Sequence, residues 1–180
     1  LLGVSVRSGT APADQVVRAN RTGGGIGPLL HIGTVRLALA AMVCGQVSMV
    51  SVMTMTPVHL HQHGHGLATV GGVIVAHMIG MFALAPLSGR LADRLGGAAA
   101  VTAGVGTLLV ATVIAAIAPP AGAGVPLMLS LFLLGYGWNL CFVGGSTLLS
   151  RDLPTEDRTR LQGTIDALVW GTSALAGLVS

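Results

Sequence analysis

Hydrophobic positions in this chain neither alternate nor form narrow stripes; they run on continuously. Five stretches, roughly 34–57, 68–88, 97–118, 125–149 and 161–180, are apolar almost throughout, with isolated polar residues inside them. A helix needs about 20 such residues to cross a hydrocarbon core about 30 Å thick. The pattern therefore predicts five transmembrane helices within 34–180. Gly and Pro recur inside these runs and would disfavour water-soluble helices, but both are common in membrane spans. The connections are short except for 7–33, which is rich in Gly, Ser and Thr and is expected to be a flexible linker. Ahead of it, Leu1 to Val6 has the character of the tail of an earlier apolar run, and the last run continues to Ser180. The chain is therefore expected to be a piece of a longer protein.

Composition sharpens this. Only 8% of the 180 residues are charged while 52% are hydrophobic, whereas a soluble domain carries about a quarter charged residues. Such a chain cannot coat a water-facing surface, so a soluble enzyme or a nucleic-acid-binding domain is excluded. The expected fold class is an all-α membrane protein, a polytopic transmembrane helix bundle. Two cysteines, Cys44 and Cys141, lie inside apolar runs and are too few for a disulfide framework.

Charge sets the orientation. All nine basic residues are Arg. Arg7, Arg18, Arg21 and Arg36 precede or begin the first span, Arg90 and Arg94 lie between the second and third, and Arg151, Arg158 and Arg160 lie between the fourth and fifth. The connections 58–67 and 119–124 contain none. With spans alternating in direction, every Arg falls on one side, which the positive-inside rule makes cytoplasmic. The expected location is the plasma membrane, as a multi-pass protein of a bacterial inner membrane.

Between the second and third spans stands Gly89-Arg90-Leu91-Ala92-Asp93-Arg94-Leu95-Gly96. Its glycines permit a tight turn, and its charges suit the inner interface. The octet resembles the G-x-L-a-D-r-x-G signature of the major facilitator superfamily, which follows the second helix of each six-helix half. The Arg-bearing segment before the first span is similar to the central loop joining the two halves. Arg151-Asp-Leu-Pro-Thr-Glu-Asp-Arg158-Thr-Arg160-Leu-Gln-Gly163 resembles the P-x-E-x-R…G connection after the fourth helix of a half. The octet departs from the family in one respect: Gly97-Ala98-Ala99 follows it in place of a basic residue.

The resemblance implies a fragment of the C-terminal half of a twelve-helix secondary transporter, with the N-terminal half missing. It implies alternating access, a small-molecule substrate, protons and the lipid bilayer as partners, efflux by antiport, and no cofactor. Gly89, Arg90, Asp93, Arg94 and Gly96 would form a gating loop, with Asp93 as its latch. The family also places the third helix of a half on the outside, facing lipid. The third span here has only Thr102, Thr107 and Thr112 as polar side chains, whereas the others carry Gln46, His77, Asn139, Gln162 and Asp166.

Intramembrane polar groups normally face a cavity or the bundle interior. At 1.5 Å per residue, Gln46, His77 and Asn139 each lie about 15–18 Å from the cytoplasmic ends of their helices, near the bilayer midplane. These three, with Trp138 and Asp166, are the candidate substrate and proton pathway. Asp166 is shallower, about 8 Å in. His77 and Asp166 are titratable, which favours protons over sodium as the coupling ion. Met42, Gln46, Met49 and Met53 recur at helical spacing and are readable either as an adaptable apolar surface or as plain helix packing.

Two other chemistries are open on the residues alone. His59, His61, His63 and His65 form an outer-loop run that could bind or move a metal ion. Ser146, preceded by Gly144-Gly145, could pair with His77 as an intramembrane serine hydrolase. A P-loop for nucleotide binding does not occur in the sequence.

Overall fold

A computed structural model describes residues 29–118, 124–152 and 155–179. After a 3-10 turn at Leu29–His31 come six α-helices: α1 (Gly33–Gln62), α2 (Leu67–Phe82), α3 (Ala85–Leu95), α4 (Gly97–Ile117), α5 (Gly124–Asp152) and α6 (Thr155–Val179). No strand occurs among the described residues. A bilayer offers no hydrogen bonds to backbone amides, so helices, which satisfy their own, are the expected solution for apolar runs of this length. Among the described residues four helical segments are long and apolar enough to cross a membrane: Gly33–Gln62, Leu67–Leu95, Gly97–Ile117 and Gly124–Arg151. The 21 residues of α4 alone extend about 31 Å. Helix α6 is also long, but Gln162, Thr164 and Asp166 dilute its apolar content and it falls outside that set.

Helix α5 is the centre of the bundle and packs against every other α-helix. Over half of its most apolar stretch is buried, 56% against 22–28% for the other three. Its contacts fix the direction of its neighbours. Gly72 lies against Met128 and Gly80 against the Phe132 backbone, so α2 runs parallel to α5. Gly97 meets Gly144 and Gly104 meets Gly137 and Cys141, so α4 runs antiparallel. Gly45 lies against Cys141 and Gly145 against Met42 and Ala38, which makes α1 antiparallel as well. A Cβ at Gly104 would stand 2.8 Å from the Cys141 nitrogen and 2.9 Å from the Gly137 oxygen. Only glycine permits that approach, the small-residue contact on which membrane helices associate.

The two ends of the bundle differ chemically. Asp93, Arg94 and Gly96 border one recess with Ser150 and Arg151, and Val35, next to Arg36, clusters with Leu149 and Leu161. At the opposite end His59 borders a recess with Ala115, Ala118 and Leu127. Arg36, Arg90, Arg94 and Arg151 therefore share one end, and the His run lies at the other.

Local structure departs from the sequence expectation at four places. Helix α1 continues through Pro57 to Gln62, so His59 and His61 are helical rather than part of a loop. The second span breaks at Ala83–Leu84, where Pro86 opens α3. The octet is the end of α3 rather than a free turn: Gly89 is helical and only Gly96 turns, at φ 89°. Helix α6 begins at Thr155 instead of 161. The linker residues 7–28 and most of the 119–124 connection lie outside the described residues.

Candidate functional site

The polar groups of the interior divide into three places along α5. The first joins α1 to α5. The indole Nε1 of Trp138 donates to Gln46 Oε1 at 2.9 Å, and the Trp138 ring stacks on Phe142 with centroids 5.2 Å apart. Gln46 is 5% exposed. Gly45 opposite Trp138 and Cys141 lets α1 come close enough for the bond. Met42 packs on Gly145 in the same seam, and Met53 joins the apolar cluster around Leu60 and Leu131, so both methionines act in helix packing.

The second place joins α2 to α5. His77 Nδ1 donates to the backbone oxygen of Leu131 at 2.9 Å, and the side chain is 1% exposed. Gly135 lies against the His77 backbone, so no side chain holds the helices apart there. The bond assigns the proton to Nδ1 and leaves Nε2 as an acceptor, which is buried without a partner. Leu131 and Trp138 are about 10 Å apart along α5, so His77 and Gln46 do not share one contact. Asn139 follows Trp138 about 100° further round the helix; it is buried, and its Oδ1 has no partner.

The third place is a recess of about 550 Å³ lined by Ser146, Thr159, Gln162, Gly163 and Asp166, nearer the arginine-bearing end. Asp166 is thus separate from the other candidates. Two polar contacts escaped the sequence reading: Ser130 Oγ donates to Ala111 O at 2.8 Å, tying α5 to α4, and Ser88, fully buried on the inner face of α3, donates its hydroxyl to Leu84 O at 3.4 Å. Thr102, Thr107 and Thr112 each bond the carbonyl four residues back on α4, which frees that helix of any need for polar neighbours.

The hydrolase constellation does not assemble. His77 sits beside Leu131 and Gly135, whereas Ser146 is about 16 Å further along α5, far beyond hydrogen-bond reach. In the His run, the His59 and His63 rings lie 4.2 Å apart and His63 Nδ1 donates to His59 O at 2.8 Å. Among the described residues no three His, Cys, Asp or Glu side chains are grouped to hold a metal ion.

Residues 5–178 match the model of the Major Facilitator Superfamily. The chain belongs to that family. The octet at the end of α3 and the central helix α5 both lie within the matched residues. The chain is 42% identical over 139 residues to YdeG of Bacillus subtilis (strain 168), named an uncharacterized MFS-type transporter, covering 77% of this chain and 32% of that protein. It is 36% identical over 153 residues to YddS of the same organism, named likewise, covering 85% and 35%. It is 30% identical over 155 residues to the riboflavin transporter RfnT of Brucella anthropi, covering 86% and 38%. These relatives are named as transporters, not enzymes, and the chain spans about a third of their length. No solved structure matches it. As a major facilitator chain with several membrane-length helices it is a multi-pass membrane protein.

Proposed function

We propose that the whole protein is a proton-coupled secondary transporter that exports a small organic solute across a bacterial plasma membrane, and that this chain is part of its second half. The observation that carries the proposal is the set of polar side chains held inside an apolar bundle: the Gln46–Trp138 pair, His77 with an unpartnered Nε2, and Asn139 with an unpartnered Oδ1. Buried polar groups are costly unless something meets them. In the whole protein that something is water, the solute, or the opposing half as the two halves rock about a central site. The arginine-bearing end faces the cytoplasm and the His run faces outward. Asp93, at the inner surface and far from the buried set, serves as a latch between the halves rather than as a ligand. The riboflavin transporter RfnT, as a relative, supports an organic solute of that size class as cargo.

The test is transport by the full-length protein in inside-out vesicles, with riboflavin and a panel of amphipathic drugs offered under an imposed proton gradient. Accumulation of a compound that a protonophore abolishes supports the proposal. Accumulation that persists without any ion gradient contradicts secondary coupling.

A further inference from the structure

Helix α1 ends in an ordered cap, and that cap carries the His run. Gly64 takes φ 73°, the left-handed conformation in which a helix can stop. The His65 amide turns back to Leu60 O at 3.0 Å and the Gly64 amide to His61 O at 3.1 Å, the paired bonds of a Schellman motif. His59 and His63 are four residues apart on this terminus and therefore adjacent on its surface, and both are exposed. Their ring centroids lie 4.2 Å apart with the planes tilted by 38°. His63 Nδ1 donates to His59 O at 2.8 Å, which steadies the ring and leaves Nε2 as the acceptor. A backbone carbonyl behind one ring nitrogen is the support that metal-ligating histidines ordinarily have.

We infer that His59 and His63 form a binding site for one divalent late-transition-metal ion, zinc or copper, at the end of α1 opposite the arginines. Two imidazoles one turn apart on a single helix face are a recurrent pair of metal ligands, and water completes the coordination. The donor set decides the class of ion. Residues 37–89 and 95–150 contain no Asp, Glu, Lys or Arg, so at this end the chain offers imidazole nitrogens without a carboxylate and without a competing cation. Nitrogen donors suit zinc, nickel and copper, whereas magnesium and calcium need oxygen. The last carbonyls of α1 and the negative end of its dipole also favour a cation there. His61 stands about 200° round the helix from His59 and faces away from the pair. Accordingly no third ligand joins the two among the described residues.

The full-length protein, prepared in detergent without a histidine tag, can be titrated with Zn²⁺, Cu²⁺ or Mg²⁺ by calorimetry, and the Cu²⁺ form read by electron paramagnetic resonance. The protein should bind one equivalent of Zn²⁺ that the H59Q/H63Q double variant lacks. Cu²⁺ should bind the same site more tightly, with coupling to two nitrogens in its spectrum, and Mg²⁺ should not compete. His59→Gln and His63→Gln should each weaken Zn²⁺ by about tenfold or more, since loss of even an outer-shell partner costs that much. His61→Gln should leave the affinity unaltered. All three side chains are exposed, so the fold should survive each change. Equal losses in the three single variants, the mark of an unstructured histidine tract, would overturn the site. So would Zn²⁺ binding by the double variant equal to that of the unaltered protein, or competition by Mg²⁺.

Discussion

Replacing Gly104 with Ala tests the close packing of α4 on the central helix α5. The added Cβ would stand 2.7 Å from Cys141 Sγ, 2.8 Å from Cys141 N and 2.9 Å from Gly137 O. The last two are backbone atoms of the central helix and cannot swing aside as a side-chain end would. Relief requires α4 and α5 to separate, which loses van der Waals contact along a seam that also holds Gly97, Ala100 and Val101. Overpacking of this kind costs about 1–3 kcal/mol. Gly106 is the internal control, since it lies two residues on and a Cβ there meets nothing within 4 Å. Gly106→Ala should be neutral or slightly stabilising, because Ala is the better helix former by about 1 kcal/mol in water. The assay is reversible unfolding of the full-length protein in mixed micelles, followed by far-UV circular dichroism. Gly104→Ala should unfold more readily than Gly106→Ala by at least 1 kcal/mol. Equal stability of the two variants would refute the close α4–α5 crossing.

Further outcomes follow from the arrangement. With Cys44 and Cys141 replaced by Ala, a Cys at position 63 should react with an impermeant maleimide added to intact cells and a Cys at position 90 should not; the reverse result would invert the topology. Asp93→Asn should slow turnover several-fold with little change in solute affinity, and an unaltered rate in the full protein would remove the latch role. His77→Ala should abolish uphill, proton-driven movement while sparing energy-independent exchange. His77→Gln, which keeps a donor for Leu131 O, should restore folding stability but not coupling, whereas restoration of both would make His77 a packing residue only.

The spans were legible because runs of about 20 apolar residues leave few alternatives. Their ends were less so. His59 and His61 look like a solvated turn, yet Pro57 removes only one amide and the helix passes through it to Gln62. Gly89 reads as a turn former, but in α3 it is an ordinary helical residue, and only Gly96 uses the freedom glycine offers. The candidate polar residues could be picked out individually, since each interrupts an apolar run. Their partners could not. Gln46 meets Trp138 because glycines on α1 and α5 set the register between two helices far apart in sequence. His77 meets a backbone oxygen, an acceptor that every residue carries and that no motif marks. Asp166 separated from the rest because α6 leans on α1 through Leu161 and Ile165 and touches α5 only lightly.

The central claim is that the buried polar set lines a path opening to one side of the membrane at a time. Asn139→Cys, in the full-length protein lacking Cys44 and Cys141, measures this directly through its reaction rate with an impermeant thiol reagent applied to right-side-out or inside-out vesicles. The account predicts reaction from either side, with an imposed proton gradient raising the rate on one side and lowering it on the other. A thiol at position 139 that reacts from neither side under any gradient, or equally from both at all times, would contradict it.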